Sequence, residues 1–151
     1  MKLSSPAFTN MEDMPARFTC DGDGVSPTLE ISDVPENAQS LMLVIDDPDA
    51  PKGDFVHWVL FNIDPRIEAI PEDSVPADSV QAATSAGKRG FVPFCPPSGT
   101  HRYFFRLYAL NTALDLPDFI TADQLLHRVK GHVRETAELV GLYSRVEAKK
   151  P

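Results

Sequence analysis

Three stretches of the chain are apolar without the interruptions that an exposed face imposes. Leu41 to Asp46 is an apolar run that ends in Asp46-Asp47-Pro48. Phe55 to Asn62 carries apolar residues at both odd and even positions, as does the aromatic stretch from Arg102 to Leu110. β-branched and aromatic enrichment predicts strands for all three. Apolar residues on both faces place them centrally in a sheet that is covered on each side. Shorter strands are expected near Leu29 to Asp33 and within the first twenty residues. Glu68 to Gly90 is the least apolar region, and with Pro71 and Pro76 it reads as a long irregular loop.

One helix is predicted, from about Ala122 to Tyr143. Thr121 with Gln124 forms a capping box at its start, the hydroxyl accepting from an unpartnered helical N–H and the amide reaching back. Leu125, Val129, Val133 and Ala137, with Leu126 and Val140, make a stripe at helical spacing. Gly131 lies inside that stretch and costs about 1 kcal/mol against alanine, so it marks either a close approach or a break. Early strands and a late helix predict a mainly β fold: a two-sheet antiparallel β-sandwich with a C-terminal helix lying over one sheet.

Composition narrows the function classes. The 151 residues fit a single domain spanning 1–151, and 42% apolar content supports a core without metal or disulfide. Fourteen prolines, all but the last within the first 120 residues, exclude long helices there. No apolar run reaches the roughly 18 residues that would span a membrane, and Met1 to Pro6 lacks the apolar stretch of a signal peptide. A cytoplasmic location is therefore expected. The net charge of −8 opposes nucleic acid and anionic membrane surfaces as partners, so an anionic ligand needs a local site that overcomes the global repulsion. Cys20 and Cys95 have no zinc-finger spacing. They are expected as two buried thiols, with a disulfide open to them if their two loops meet, although cytoplasmic redox disfavours that bond.

The candidate chemistry sits at strand ends. His57 lies within its strand, and period two places it with Phe55, Val59 and Phe61. His101 and Tyr103 fall side by side at the start of theirs. Asp47 ends its own strand on the face of Leu43 and Ile45. The loops beside them, Asp47 to Pro51 and Cys95 to Thr100, are proline-rich and suited to be fixed walls. Such a group can bind an anion through imidazole and phenol donors. It can hold zinc through two His and one Asp, or carry protons. Each residue also has a plain structural use, as a core histidine, a turn aspartate or a core tyrosine, and His127 and His132 read as surface or interface residues. No Gly-rich phosphate loop or GxSxG elbow is present.

At these residues the chain resembles the phosphatidylethanolamine-binding protein family, also called the Raf kinase inhibitor protein family, in its bacterial and archaeal branch. One signature stands as Asp47-Pro48-Asp49-Ala50-Pro51 followed by His57-Trp58. A second stands as Pro96-Pro97-Ser98-Gly99-Thr100-His101-Arg102-Tyr103, running into Leu107 to Leu110. The similarity runs from about Leu3 to Val146. The resemblance implies a β-sandwich with a pocket for a small anion such as phosphate or a phosphorylated head group. Asp47, Ala50, Pro51, His57, His101 and Tyr103 would line that pocket, with a cis bond at Ala50-Pro51. It implies binding without catalysis, with no cofactor and no resident metal, and a homodimer as the usual assembly in that branch. Relatives that inhibit kinases or proteases make a protein-interaction role the alternative, and a metal-dependent hydrolase is a further one. The chain departs from the pattern at Pro93-Phe94, Gly90-Phe91, Thr84-Ser85 and Glu30-Ile31, and Phe94 stands where it can narrow or fill the pocket. If protonated imidazoles hold the anion, binding weakens as pH rises past the histidine value of about 6.5.

Overall fold

A computed structural model describes residues 1–145. The strands are β1 (Lys2–Ser4), β2 (Glu12–Asp13), β3 (Leu29–Ser32), β4 (Ser40–Asp47), β5 (Phe55–Ile63), β6 (Ala69–Ile70), β7 (Val80–Gln81), β8 (His101–Leu110) and β9 (Val133–Tyr143), with one helix, α1 (Ala122–Arg128). They form a three-stranded sheet in the order β1-β3-β6 and a six-stranded sheet in the order β2-β9-β8-β4-β5-β7. All pairs are antiparallel except β2 with β9.

The two-faced apolar strands occupy the centre of the large sheet, as their patterns require. All eight residues of β4 are buried. Leu41, Leu43 and Ile45 face the small sheet and meet Leu29, Ile31 and Ile70 in the inter-sheet core. Met42 and Val44 face the other way, into a second core with Val59, Phe61 and the helix residues Ala122, Leu125 and Val129. The irregular stretch between residues 68 and 90 carries only two-residue strands, β6 and β7.

The long helix is corrected. The capping box at Thr121 and Gln124 is present, but α1 ends at Arg128. Gly131 stands at φ +84°, in the left-handed region that breaks a helix and turns the chain. From Val133 the chain is a strand paired along its length with β8, from His101↔Tyr143 to Leu110↔Val133. Arg134, Thr136 and Glu138 point to solvent, while Leu139, Gly141 and Tyr143 are buried. The apolar stripe misled because a spacing of four residues belongs to period two as well as to period 3.6. The chain therefore has its helix before its last strand rather than at its C-terminal end. Gly141 makes sense only in this strand: a Cβ there would lie 2.4 Å from Met14 Sδ and 3.0 Å from Phe8 Cε2.

Candidate functional site

Antiparallel pairing brings the end of β4 and the starts of β5 and β8 together at one end of the large sheet's central strands, where Asp47 stands opposite Phe55 and Asp46 opposite Phe104. Asp47, His57, His101 and Tyr103 meet there around a hollow of about 190 Å³. Ala50 and Pro51 form part of its wall, as expected, and no cis peptide bond occurs among the described residues, which corrects the cis bond at Ala50-Pro51. Five further walls, Phe55, Val92, Pro93, Cys95 and Pro97, were not among the site residues expected from the sequence. The proline-rich run from Pro93 to Pro97 was the available signal for three of them.

Each polar group at this end is held by a specific partner. His101 Nδ1 lies 2.6 Å from Asp47 Oδ2. The other carboxylate oxygen of Asp47 accepts from the Asp49 N–H at 2.8 Å, closing a turn on itself. Asp47 thus closes the turn expected of it and partners His101 as well. Asp49 takes the backbone N–H, Nε and Nη2 of Arg102 at 2.9, 2.9 and 2.8 Å. That fork holds its carboxyl down to about 2 and ties the first signature to the second.

His57 arrives by a route the alternation rule did not give. Ile45 pairs with Trp58 and Asp46 with Val56, so His57 is an extra residue in β5, a β-bulge. The bulge turns its ring away from the side of Val59 and Phe61 and onto Phe94 and Tyr103, with ring centroids 5.1 and 5.4 Å away. Only its closeness to Phe55, at 4.8 Å, survives from the expected set. His57 Nδ1 lies 2.7 Å from the Val92 carbonyl, which can only accept. The proton of the neutral ring therefore sits on Nδ1, and Nε2 is a bare acceptor. Burial lowers the His57 pKa below its ordinary value, and the Val92 bond opposes that only in part. Nitrogen-detected NMR is expected to find the His57 proton on Nδ1 at neutral pH, with a titration midpoint below 6.5. A proton on Nε2 would contradict this geometry.

Tyr103 is fully buried, and its hydroxyl is the one buried side-chain polar atom without a partner among the described residues. Burial, with the carboxylates of Asp47 and Asp49 next, raises its pKa, so it keeps its proton and remains a donor. Phe94 is not among the residues that line the hollow. It is fully buried beneath it, 4.4 Å from the Tyr103 ring and 5.2 Å from Phe91.

The cysteines are corrected too. Cys20 and Cys95 form a disulfide, both are exposed, and Cys95 borders the hollow. Beside it, Cys20 N–H donates to the Phe94 carbonyl at 3.0 Å and Phe94 N–H to the Phe18 carbonyl at 3.3 Å. Among the described residues, no three His, Cys, Asp or Glu side chains are grouped so as to hold a metal ion.

A two-sheet sandwich with a small histidine-lined hollow at one end of its large sheet is the class of protein that the fold and site define. The family model for phosphatidylethanolamine-binding protein matches residues 4–144, and the chain belongs to that family. A UPF0098 protein of Methanothermobacter thermautotrophicus is 45% identical over 150 residues, covering 96% of this chain and 99% of the relative. Among solved structures, a homologue of phosphatidylethanolamine-binding protein from Chlamydia trachomatis superposes with a TM-score of 0.92 at 39% identity, covering 95% of this chain and 97% of the other. YbcL of E. coli, a member of the mammalian family, gives 0.88 at 27% identity, covering 95% and 98%.

Proposed function

We propose that this protein binds a small oxyanion, phosphate or a phosphorylated head group, in the hollow between His57 and His101, and releases it unchanged. The observation that carries this reading is the buried Tyr103 hydroxyl, a donor left without a protein partner beside two imidazoles. Native proteins rarely leave such a group unsatisfied unless a ligand or water completes it. The walls of Ala50, Pro51, Phe55, Pro93 and Pro97 are apolar and lower the local dielectric, which strengthens each hydrogen bond made inside. Among the lining residues there is no serine or threonine, and Cys95 is held in the disulfide, which supports binding without a covalent step.

Calorimetry with inorganic phosphate and phosphoethanolamine, alongside thermal shift, tests the reading. Heat and a raised melting midpoint are expected, and silence with both ligands sinks it. The variant Tyr103→Phe separates the site from the fold. It removes an unsatisfied oxygen, so the empty protein keeps its stability or gains up to about 1 kcal/mol. Anion affinity falls about tenfold, the worth of one hydrogen bond to a charged ligand.

No helix among the described residues is long and apolar enough to cross a membrane. The exposed disulfide weighs against the cytoplasmic setting expected from the sequence, because reducing pools keep such thiols free. Alkylation in intact cells decides this: two blocked cysteines mean a reducing compartment, and none means an oxidising one.

A further inference from the structure

We infer that the pocket selects an anion that brings its own proton, so that it takes hydrogen phosphate and rejects sulfate. The inference rests on the pocket reading above and goes beyond it, from anions in general to those with an acidic O–H. Three observations carry it. His57 has committed Nδ1 to the Val92 carbonyl at 2.7 Å, so its neutral ring offers the ligand an unprotonated Nε2. His101 has committed Nδ1 to Asp47 at 2.6 Å, so the neutral form of that ring likewise presents Nε2 without a proton. No lysine or arginine lines the hollow, while the carboxylate of Asp47 does. The nearby guanidinium, that of Arg102, donates to Asp49 through Nε and Nη2, and the Arg102 backbone N–H donates to the same carboxylate.

With both rings neutral, the side-chain inventory of the site is therefore one donor, Tyr103, against imidazole acceptors and a carboxylate. A fully deprotonated tetrahedral anion has only acceptor oxygens. It would satisfy Tyr103 and set another oxygen against the His57 lone pair, with no cation to offset the repulsion. An anion that keeps one proton resolves the mismatch: one oxygen accepts from Tyr103, and its O–H donates to Nε2 of His57. No covalent bond changes, and the proton stays on the ligand as it binds and leaves. Burial, which holds the His57 ring neutral, acts in the same direction.

Phosphate and sulfate separate these possibilities, because at pH 8 both are dianions of similar size and shape, and only phosphate bears a proton. Titration calorimetry of the intact, oxidised protein at pH 8 is expected to give phosphate at least a tenfold advantage over sulfate. Equal affinity for the two overturns the proton requirement and leaves the pocket reading standing. Heat with neither overturns the pocket reading itself. In His57→Gln, whose side-chain amide can turn a donor toward the hollow, the ratio of phosphate to sulfate affinity should fall toward one. A ratio unchanged from that of the unaltered protein excludes His57 as the selecting group. Folding of this variant is read from its circular dichroism and melting midpoint, and the wild-type comparison does not depend on it.

Discussion

Replacing Cys20 or Cys95 with serine is expected to lower the melting midpoint by roughly 8–16 °C while leaving the fold intact at room temperature. The disulfide closes a loop of 75 residues, and the chain-entropy model assigns a loop of that length about 4 kcal/mol of restraint on the unfolded state. For a domain of this size each kcal/mol moves the midpoint by about 2–4 °C. The native state should survive because the bond is not alone at this junction. The backbone bonds of Cys20 and Phe94 and the burial of Phe94 hold the same two segments together. Each single variant and the double variant should lose the same amount, since either change removes the whole link. Unfolding is measured with reductant present in all samples of the variants, so that an exposed lone thiol forms no dimers. If the double variant falls about twice as far as the singles, the loss lies in local packing and not in the cross-link. Cys95 also borders the hollow, so phosphate affinity in the double variant reads how far the wall depends on the link.

The parts of the fold that could be read in advance were those where one strand's own pattern settles its surroundings. Leu41 to Ile45 of β4 are apolar on both sides, and only a central strand between two covering layers satisfies them. What could not be read depends on a partner. His57 reaches the pocket because β5 has one residue more than β4 between two paired positions, and a count on β5 alone cannot reveal that. β9 carries apolar residues four apart, a spacing that helix and strand share, and only pairing with β8 decides between them. Gly131 was the local clue, with Thr136 and Val140 as β-branched residues beyond it. The disulfide escaped because whether residues 20 and 95 meet is settled by the Thr19–Phe94 bridge, a contact between loops. Asp47, His101 and Tyr103 lie on the faces that period two gave them, and the recognised signatures added Ala50 and Pro51 of the wall but not Phe55, Val92 or Pro93.

Asp47→Ala is expected to cost about 3 kcal/mol, more than its position at a strand end suggests. Its carboxylate is 3% exposed and His101 is 6% exposed, so neither partner has water to fall back on. Truncation strands the His101 Nδ1–H, a buried orphan that costs about 1–3 kcal/mol, together with the partly buried Asp49 N–H. Asp49 anchors Arg102, so the loop between the two signatures loosens as well. Asp47→Asn separates lost packing from lost chemistry. The amide keeps an oxygen for the Asp49 N–H and turns its NH₂ toward His101 Nδ1, so most of the stability returns. That bond, however, reverses the imidazole: Nδ1 now accepts, and the neutral ring carries its proton on Nε2, toward the ligand. The pocket gains a donor, and the discrimination against sulfate should weaken in this variant although the fold is sound. Chemical unfolding gives the first number, and the phosphate-to-sulfate ratio gives the second. A variant as unstable as Asp47→Ala would mean that the carboxylate charge itself holds His101. A stable variant with unchanged selectivity would mean that His101 does not address the ligand, leaving His57 and Tyr103 to bind it.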